Sequence, residues 1–135
     1  MDYADSPSPD SPNPNFPLRK FLGFEISTGE GTATTTLELG EQHMNPNNIA
    51  HGAVTFALMD TAMGAAVVST LGEDQTCATI EMHTRFHRPA ATGLLTSTAT
   101  ILTAGRRMVH VEAKTTDDQD RLVASATSSF AIISG

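Results

Sequence analysis

The stretch from His51 to about Leu71 constrains the fold more than any other part of the chain. It contains no Pro, is dominated by Ala, Val, Leu and Met, and is too long for an ordinary strand, so it predicts a helix. Val54, Leu58, Thr61, Ala65 and Val68 fall on one side at helical spacing, yet Phe56, Met59, Met63 and Val67 make the opposite side apolar as well. A helix that is apolar nearly all round must be enclosed on most of its sides. Ala62, Gly64, Ala65 and Ala66 predict close packing against a sheet.

The remaining sequence supplies such a sheet. Phe24 to Thr28 and Thr32 to Leu39 are Thr-rich and β-branched, and Gly29-Glu30-Gly31 between them signals a hairpin. After Gly72-Glu-Asp-Gln come four strand-like segments, at about Thr76–Arg88, Leu94–Thr103, Arg107–Thr115 and Leu122–Ile133, punctuated by Gly93, Gly105 and Asp117-Asp118-Gln119-Asp120. In the first, strict alternation puts Ala78, Ile80, Met82, Thr84 and Phe86 on one face and Thr79, Glu81, His83, Arg85 and His87 on the other. Two strands, one long helix and four strands predict an α+β domain in which a curved antiparallel sheet wraps a central helix.

At 135 residues the chain holds a single domain. Met1 to Asn15 carries Pro7, Pro9, Pro12 and Pro14 among Ser and Asp, too little apolar surface to offset ordering, so residues 1–15 read as a disordered tail and 16–135 as the domain. A short helical turn is expected through Pro17–Phe21. A net charge of −7 argues against a general nucleic-acid or anionic-membrane surface. No apolar run approaches the length of a membrane span, and the amino terminus lacks a signal-peptide layout. The single Cys77 has no internal partner, which fits a reducing compartment, so a cytoplasmic protein is the default.

The segment Asn45-Pro-Asn-Asn-Ile-Ala-His51-Gly52-Ala53 is turn chemistry feeding the long helix. A helix start exposes unpaired N–H groups that attract negative charge, and Gly52 lets another molecule approach the backbone closely. Asp60, flanked by Leu58, Met59, Ala62 and Met63, is costly to bury without a purpose. An N–H that polarises an electrophile and a reactive carboxylate on one element suggest an active site. Asp60 could act as a general base or as a nucleophile. His83 and His87 share a strand face but are separated by roughly 13 Å of rise, too far for two ligands of one metal ion. No metal or other cofactor is expected, and Cys77 reads as a small core or boundary residue rather than a nucleophile.

The element order, together with Asn45, His51-Gly52 and Asp60 at their spacing, resembles the hotdog-fold acyl-CoA thioesterases, specifically the branch that includes the PaaI proteins of phenylacetic acid degradation. The resemblance spans about residues 16 to 133. It implies that Gly52 polarises the thioester carbonyl through its N–H, that Asp60 is the catalytic carboxylate, that Asn45 and His51 organise the loop, and that Thr79 contacts the attacking water. Arg88-Pro89 resembles the family's Arg-Pro strand end, while Ala53 departs from the usual His-Gly-Gly. Arg88, Arg106 and Arg107, at strand ends or turns, are candidates for the phosphates of coenzyme A. The resemblance also implies a homo-oligomer, a dimer or a homotetramer, whose active site forms between subunits. Two rival readings are a hotdog dehydratase or hydratase acting on acyl thioesters and a non-catalytic acyl-CoA-binding module.

Overall fold

A computed structural model describes residues 15–135. Apart from Asn15, the tail expected over residues 1–15 lies outside the described residues. The elements are α1 (Pro17–Leu22), β1 (Glu25–Gly29), β2 (Thr32–Glu38), a 3-10 turn (Glu41–His43), α2 (Gly52–Val68), β3 (Gln75–Phe86), β4 (Leu94–Ala104), β5 (Met108–Thr116) and β6 (Leu122–Ser134). The strands form one antiparallel sheet in the order β1-β2-β4-β5-β6-β3, with α2 packed against it. This is the hotdog arrangement expected from the element order.

Leu58, Met59, Ala62, Met63, Ala66 and Val67 of α2 are fully buried against Leu95, Val109, Val111, Ala124 and Phe130 of the sheet. Several inward positions carry hydroxyls, and three of these hydroxyl contacts tie the core together. Thr35 Oγ1 donates to the Leu58 carbonyl at 2.8 Å, Ser97 and Thr115 bond each other at 2.6 Å, and Ser128 Oγ lies 3.1 Å from Met63 Sδ. The Thr35 bond joins β2 to the middle of α2 and fixes where the helix sits along the sheet.

One stripe of α2 stays uncovered in the single chain: Ala53, Phe56, Ala57, Asp60, Thr61, Gly64 and Val68, spaced three or four apart. Phe56 is 41% exposed there. The stripe runs beside β3, an edge strand whose Ile80 and Phe86 are 52% and 57% exposed. A long edge strand beside an open apolar helix face is a surface that proteins ordinarily cover.

The strict alternation expected along β3 does not hold. The pairing with β6 shifts between Thr79 and Glu81, leaving Ile80 as an extra residue, a β-bulge. One inserted residue exchanges the two faces of the strand. Cys77 and Thr79 therefore turn toward α2 together with Met82, although uninterrupted alternation puts them on opposite faces.

The β5–β6 connection is closed by Asp117. Its carboxylate accepts the backbone N–H groups of Arg121 (2.9 Å) and Gln119 (3.0 Å) and pairs with the Arg121 guanidinium (2.8 Å). These donors, the Arg121 N–H first, hold its pKa below the ordinary 3.8. A depressed carboxylate pKa contributes stability that is present above the unfolded value and lost as pH falls through the folded one. Asp117→Ala is expected to lower the chemical denaturation midpoint at pH 7. The gap to wild type should narrow as pH drops below 3.8, and a gap independent of pH would exclude the ionic contribution.

Candidate active site

The loop before α2 is built to present its first N–H. Asn45 Oδ1 accepts from the N–H groups of Asn47 (2.8 Å) and Ile49 (3.3 Å), and Asn45 N–H donates to the Ile49 carbonyl (2.8 Å). Asn48 takes the left-handed conformation (φ 60°) that such a tight loop requires and that Asn tolerates. The loop is tied to its surroundings through Ala50 N–H to Ala90 O (2.7 Å) and His51 N–H to His43 O (2.9 Å).

His51 then caps α2. Its backbone is extended and its Nδ1 accepts the N–H of Ala53 at 2.9 Å. An accepting Nδ1 carries no proton, so the ring's hydrogen sits on Nε2. The cap occupies the N–H of Ala53 and the His51 carbonyl takes that of Val54. Gly52 N–H makes none of the cap, loop or side-chain bonds that engage its neighbours, and it points out of the positive end of the helix. Ala53 in place of a second glycine is therefore harmless, since residue 53 spends its N–H on the cap. A Cβ at Gly52 would lie 3.1 Å from Cζ of Phe86, a tight contact from which that exposed ring can move aside.

Gly52 lines a cavity of about 530 Å³ with Asn45, Ile49, Thr55, Phe86 and Arg88. Asp60 lies elsewhere, in a second cavity of about 240 Å³ with Phe16, Thr61, Gly64, Cys77 and Phe130. Thr79 also lines it and donates its hydroxyl to Asp60 Oδ1 at 2.9 Å. One carboxylate oxygen is thus held by Thr79, which contacts Asp60 directly. Burial, and then the charge of Asp60, push the Cys77 thiol up to about 11, which keeps it protonated and a poor nucleophile.

Eight residues of α-helix separate Gly52 from Asp60, about 12 Å along the axis. That is too far for both groups to reach one carbonyl carbon and its oxygen. Within one chain the two groups are therefore apart, the N–H and Asn45 at one cavity and the carboxylate and Thr79 at the other. The arginines divide the same way. Arg88 lines the Gly52 cavity, whereas Arg106 and Arg107 occupy the β4–β5 turn, near Ile132 and hence at the Cys77 end of β3.

Sequence reasoning missed three participants. His43 is buried, with Nδ1 accepting from Gly40 N–H (2.9 Å) and Nε2–H donating to the Leu22 carbonyl (2.7 Å). It anchors the loop that positions His51, and nothing in a lone histidine signals that role. Phe16 and Phe130 come from opposite ends of the chain to line the Asp60 cavity, which no local pattern can reveal.

The model of the thioesterase superfamily matches residues 47–124, from the loop through α2 and into β6. The chain is similar to a 1,4-dihydroxy-2-naphthoyl-CoA hydrolase of Listeria monocytogenes, 26% identical over 116 residues, covering 85% of this chain and 94% of the relative. Among solved structures, the PaaI protein of the Escherichia coli phenylacetic acid degradation operon is similar with a TM-score of 0.83 and 28% identity, covering 90% of this chain and 87% of that one. A conserved protein of Pseudomonas aeruginosa gives a TM-score of 0.82 and 32% identity, with 86% and 93% covered.

The cap makes a stability prediction separate from chemistry. His51→Ala is expected to cost about 1 kcal/mol in denaturant unfolding at fixed protein concentration, while His51→Asn, a strong N-cap, should recover most of it. Equal loss in both variants would show that the imidazole does not serve as a cap.

Proposed function

This chain belongs to the thioesterase superfamily and is a thioester hydrolase, and we propose that it cleaves acyl-CoA to a free acid and coenzyme A in sites shared between two subunits. The observation that carries the shared site is that Gly52 and Asp60 line different cavities, about 12 Å apart along one helix. A single chain cannot aim both at one thioester, whereas two chains paired through their β3 edges can. In antiparallel pairing about a two-fold axis near Met82, the Phe86 end of one β3 lies against the Thr79 end of the other. Phe86 touches Gly52 and Thr79 touches Asp60, so that pairing brings one chain's N–H to the other's carboxylate. It also covers the exposed Ile80 and Phe86 of β3. A dimer is the minimum unit of this reading, and a homotetramer is two of them.

In each shared site the thioester oxygen accepts the Gly52 N–H, with Asn45 at its side. Asp60, anchored through Oδ1 by Thr79, takes a proton from water with its other oxygen while the water oxygen attacks the carbonyl carbon. The tetrahedral intermediate carries its negative charge toward the Gly52 N–H and the helix dipole. Its collapse breaks the C–S bond, and the departing thiolate takes up a proton to give coenzyme A. His51 acts through the loop rather than on the substrate. Arg88 of one subunit, with Arg106 and Arg107 of the other, gathers along the paired edges to meet the coenzyme A phosphates, which an acidic protein needs locally. No cofactor enters this chemistry. A cytoplasmic setting suits the unpaired thiol of Cys77.

Free-thiol release from acyl-CoA tests the activity. Asp60→Asn is expected to lower kcat by at least about a hundredfold with the fold intact, and Thr79→Ala by less. An Asp60→Asn enzyme at near wild-type rate would remove the carboxylate from the mechanism. Gly52→Pro is the matching lesion, since proline at the first helical position is tolerated and removes only the N–H. It should cost about 10²–10³ in kcat, with the exposed Phe86 ring shifting to admit it. Mixed dimers of Asp60→Asn and Gly52→Pro chains regenerate one intact site and one doubly damaged site. Their activity should rise well above either parent and stay below wild type. Absence of rescue in verified mixed dimers would show that each site is built from one chain.

A further inference from the structure

Gly64 sits in the interior of α2, where glycine is among the least favourable residues for a helix. Small size there is not demanded by packing. A Cβ built on Gly64 would meet only the Phe130 ring beyond its own helix, at 3.6 Å from Cε2 and 3.9 Å from Cζ, which is ordinary contact. The small residues that do press against the sheet are Ala62 and Ala66, both fully buried. Gly64 lies one turn beyond Asp60, and its open side forms part of the wall of the Asp60 cavity, between Phe130 and Cys77. The Cys77 thiol is 3.9 Å from the Gly64 carbonyl, so the wall is closed on the strand side by a protonated, weakly polar group.

We propose that Gly64 is a specificity-determining residue: its missing methyl sets the depth of the acyl pocket next to Asp60, and so the longest acyl group that the enzyme turns over. This rests on the thioesterase reading above and names the residue that decides which thioesters that site accepts. The cavity holds about 240 Å³. About 150 Å³ already admits a benzene-sized guest, so the room is limited to groups of roughly that order, and a single methyl at its wall is a substantial fraction of the margin. Short acyl groups end before reaching Gly64, whereas longer ones press against Phe130 beside it.

Gly64→Ala tests this cleanly, since Ala fits the fold and favours the helix. The variant should have a higher Tm than wild type. Its kcat/KM is read relative to the value for acetyl-CoA, the shortest group. Across butyryl-, hexanoyl- and octanoyl-CoA it should fall progressively, by at least about tenfold for the longest acyl chain that wild type hydrolyses, the usual penalty for one carbon too many in a closed pocket. A uniform change across the series, or none, alongside the raised Tm would overturn the proposal. A wild-type enzyme that hydrolyses neither any member of the series nor benzoyl- or phenylacetyl-CoA would instead overturn the acyl-CoA reading. Gly64 would then be judged by the thermal shifts that non-hydrolysable thioether analogues of the same series give with both proteins. Equal shifts at every length would reject it.

Discussion

Everything in this molecule follows from a helix with no polar face. α2 must be enclosed, and a single sheet of six strands encloses it on all sides but one. The Thr35–Leu58 bond fixes the position of the helix along the sheet, and the buried alanines set how closely it approaches. What the sheet cannot reach is the stripe holding Phe56, Asp60 and Gly64 beside the β3 edge. The Asp60 carboxylate thus lies on the boundary between core and solvent. There it is partly desolvated but still reachable by a substrate.

The β-bulge at Ile80 decides which β3 side chains reach that boundary. Without it, β3 would keep one parity, and Thr79 could not share a face with Met82. With it, the strand is anchored in the core through Met82 and also delivers Thr79 to Asp60 and Cys77 to Gly64. The bulge also pushes Ile80 outward along the edge, where it adds to the apolar surface that an incoming strand would cover. Local irregularity and assembly surface have one origin.

Charge is managed with equal economy. His51 takes the Ala53 N–H and its own carbonyl takes that of Val54, leaving the Gly52 N–H as the donor aimed outward at the start of α2. In the proposed mechanism, negative charge developing on a bound carbonyl would meet both that donor and the helix dipole, in a fixed arrangement. Cys77, although it lies beside the carboxylate, stays a thiol because burial and the Asp60 charge both oppose its ionisation.

Much of this was legible in the sequence. The Pro-free apolar run from His51 fixed the helix, and Thr-rich alternation with Gly punctuation fixed the strands, because periodicity and turn chemistry are local properties. Asp60 stood out because a carboxylate among Leu58, Met59 and Met63 contradicts its surroundings. Three things needed the tertiary structure. The parity of β3 depended on one extra residue relative to β6, and register is a relation between strands that neither strand carries alone. The partners of His43 and the walls of the Asp60 cavity come from segments far apart in the chain. The separation of Gly52 from Asp60 into two cavities depends on where β3 lies against α2, since packing decides which side of the helix each residue faces. Sequence names the candidate groups because their chemistry is carried by single residues. Only the folded chain decides which of them can meet, because distance between residues is a property of packing.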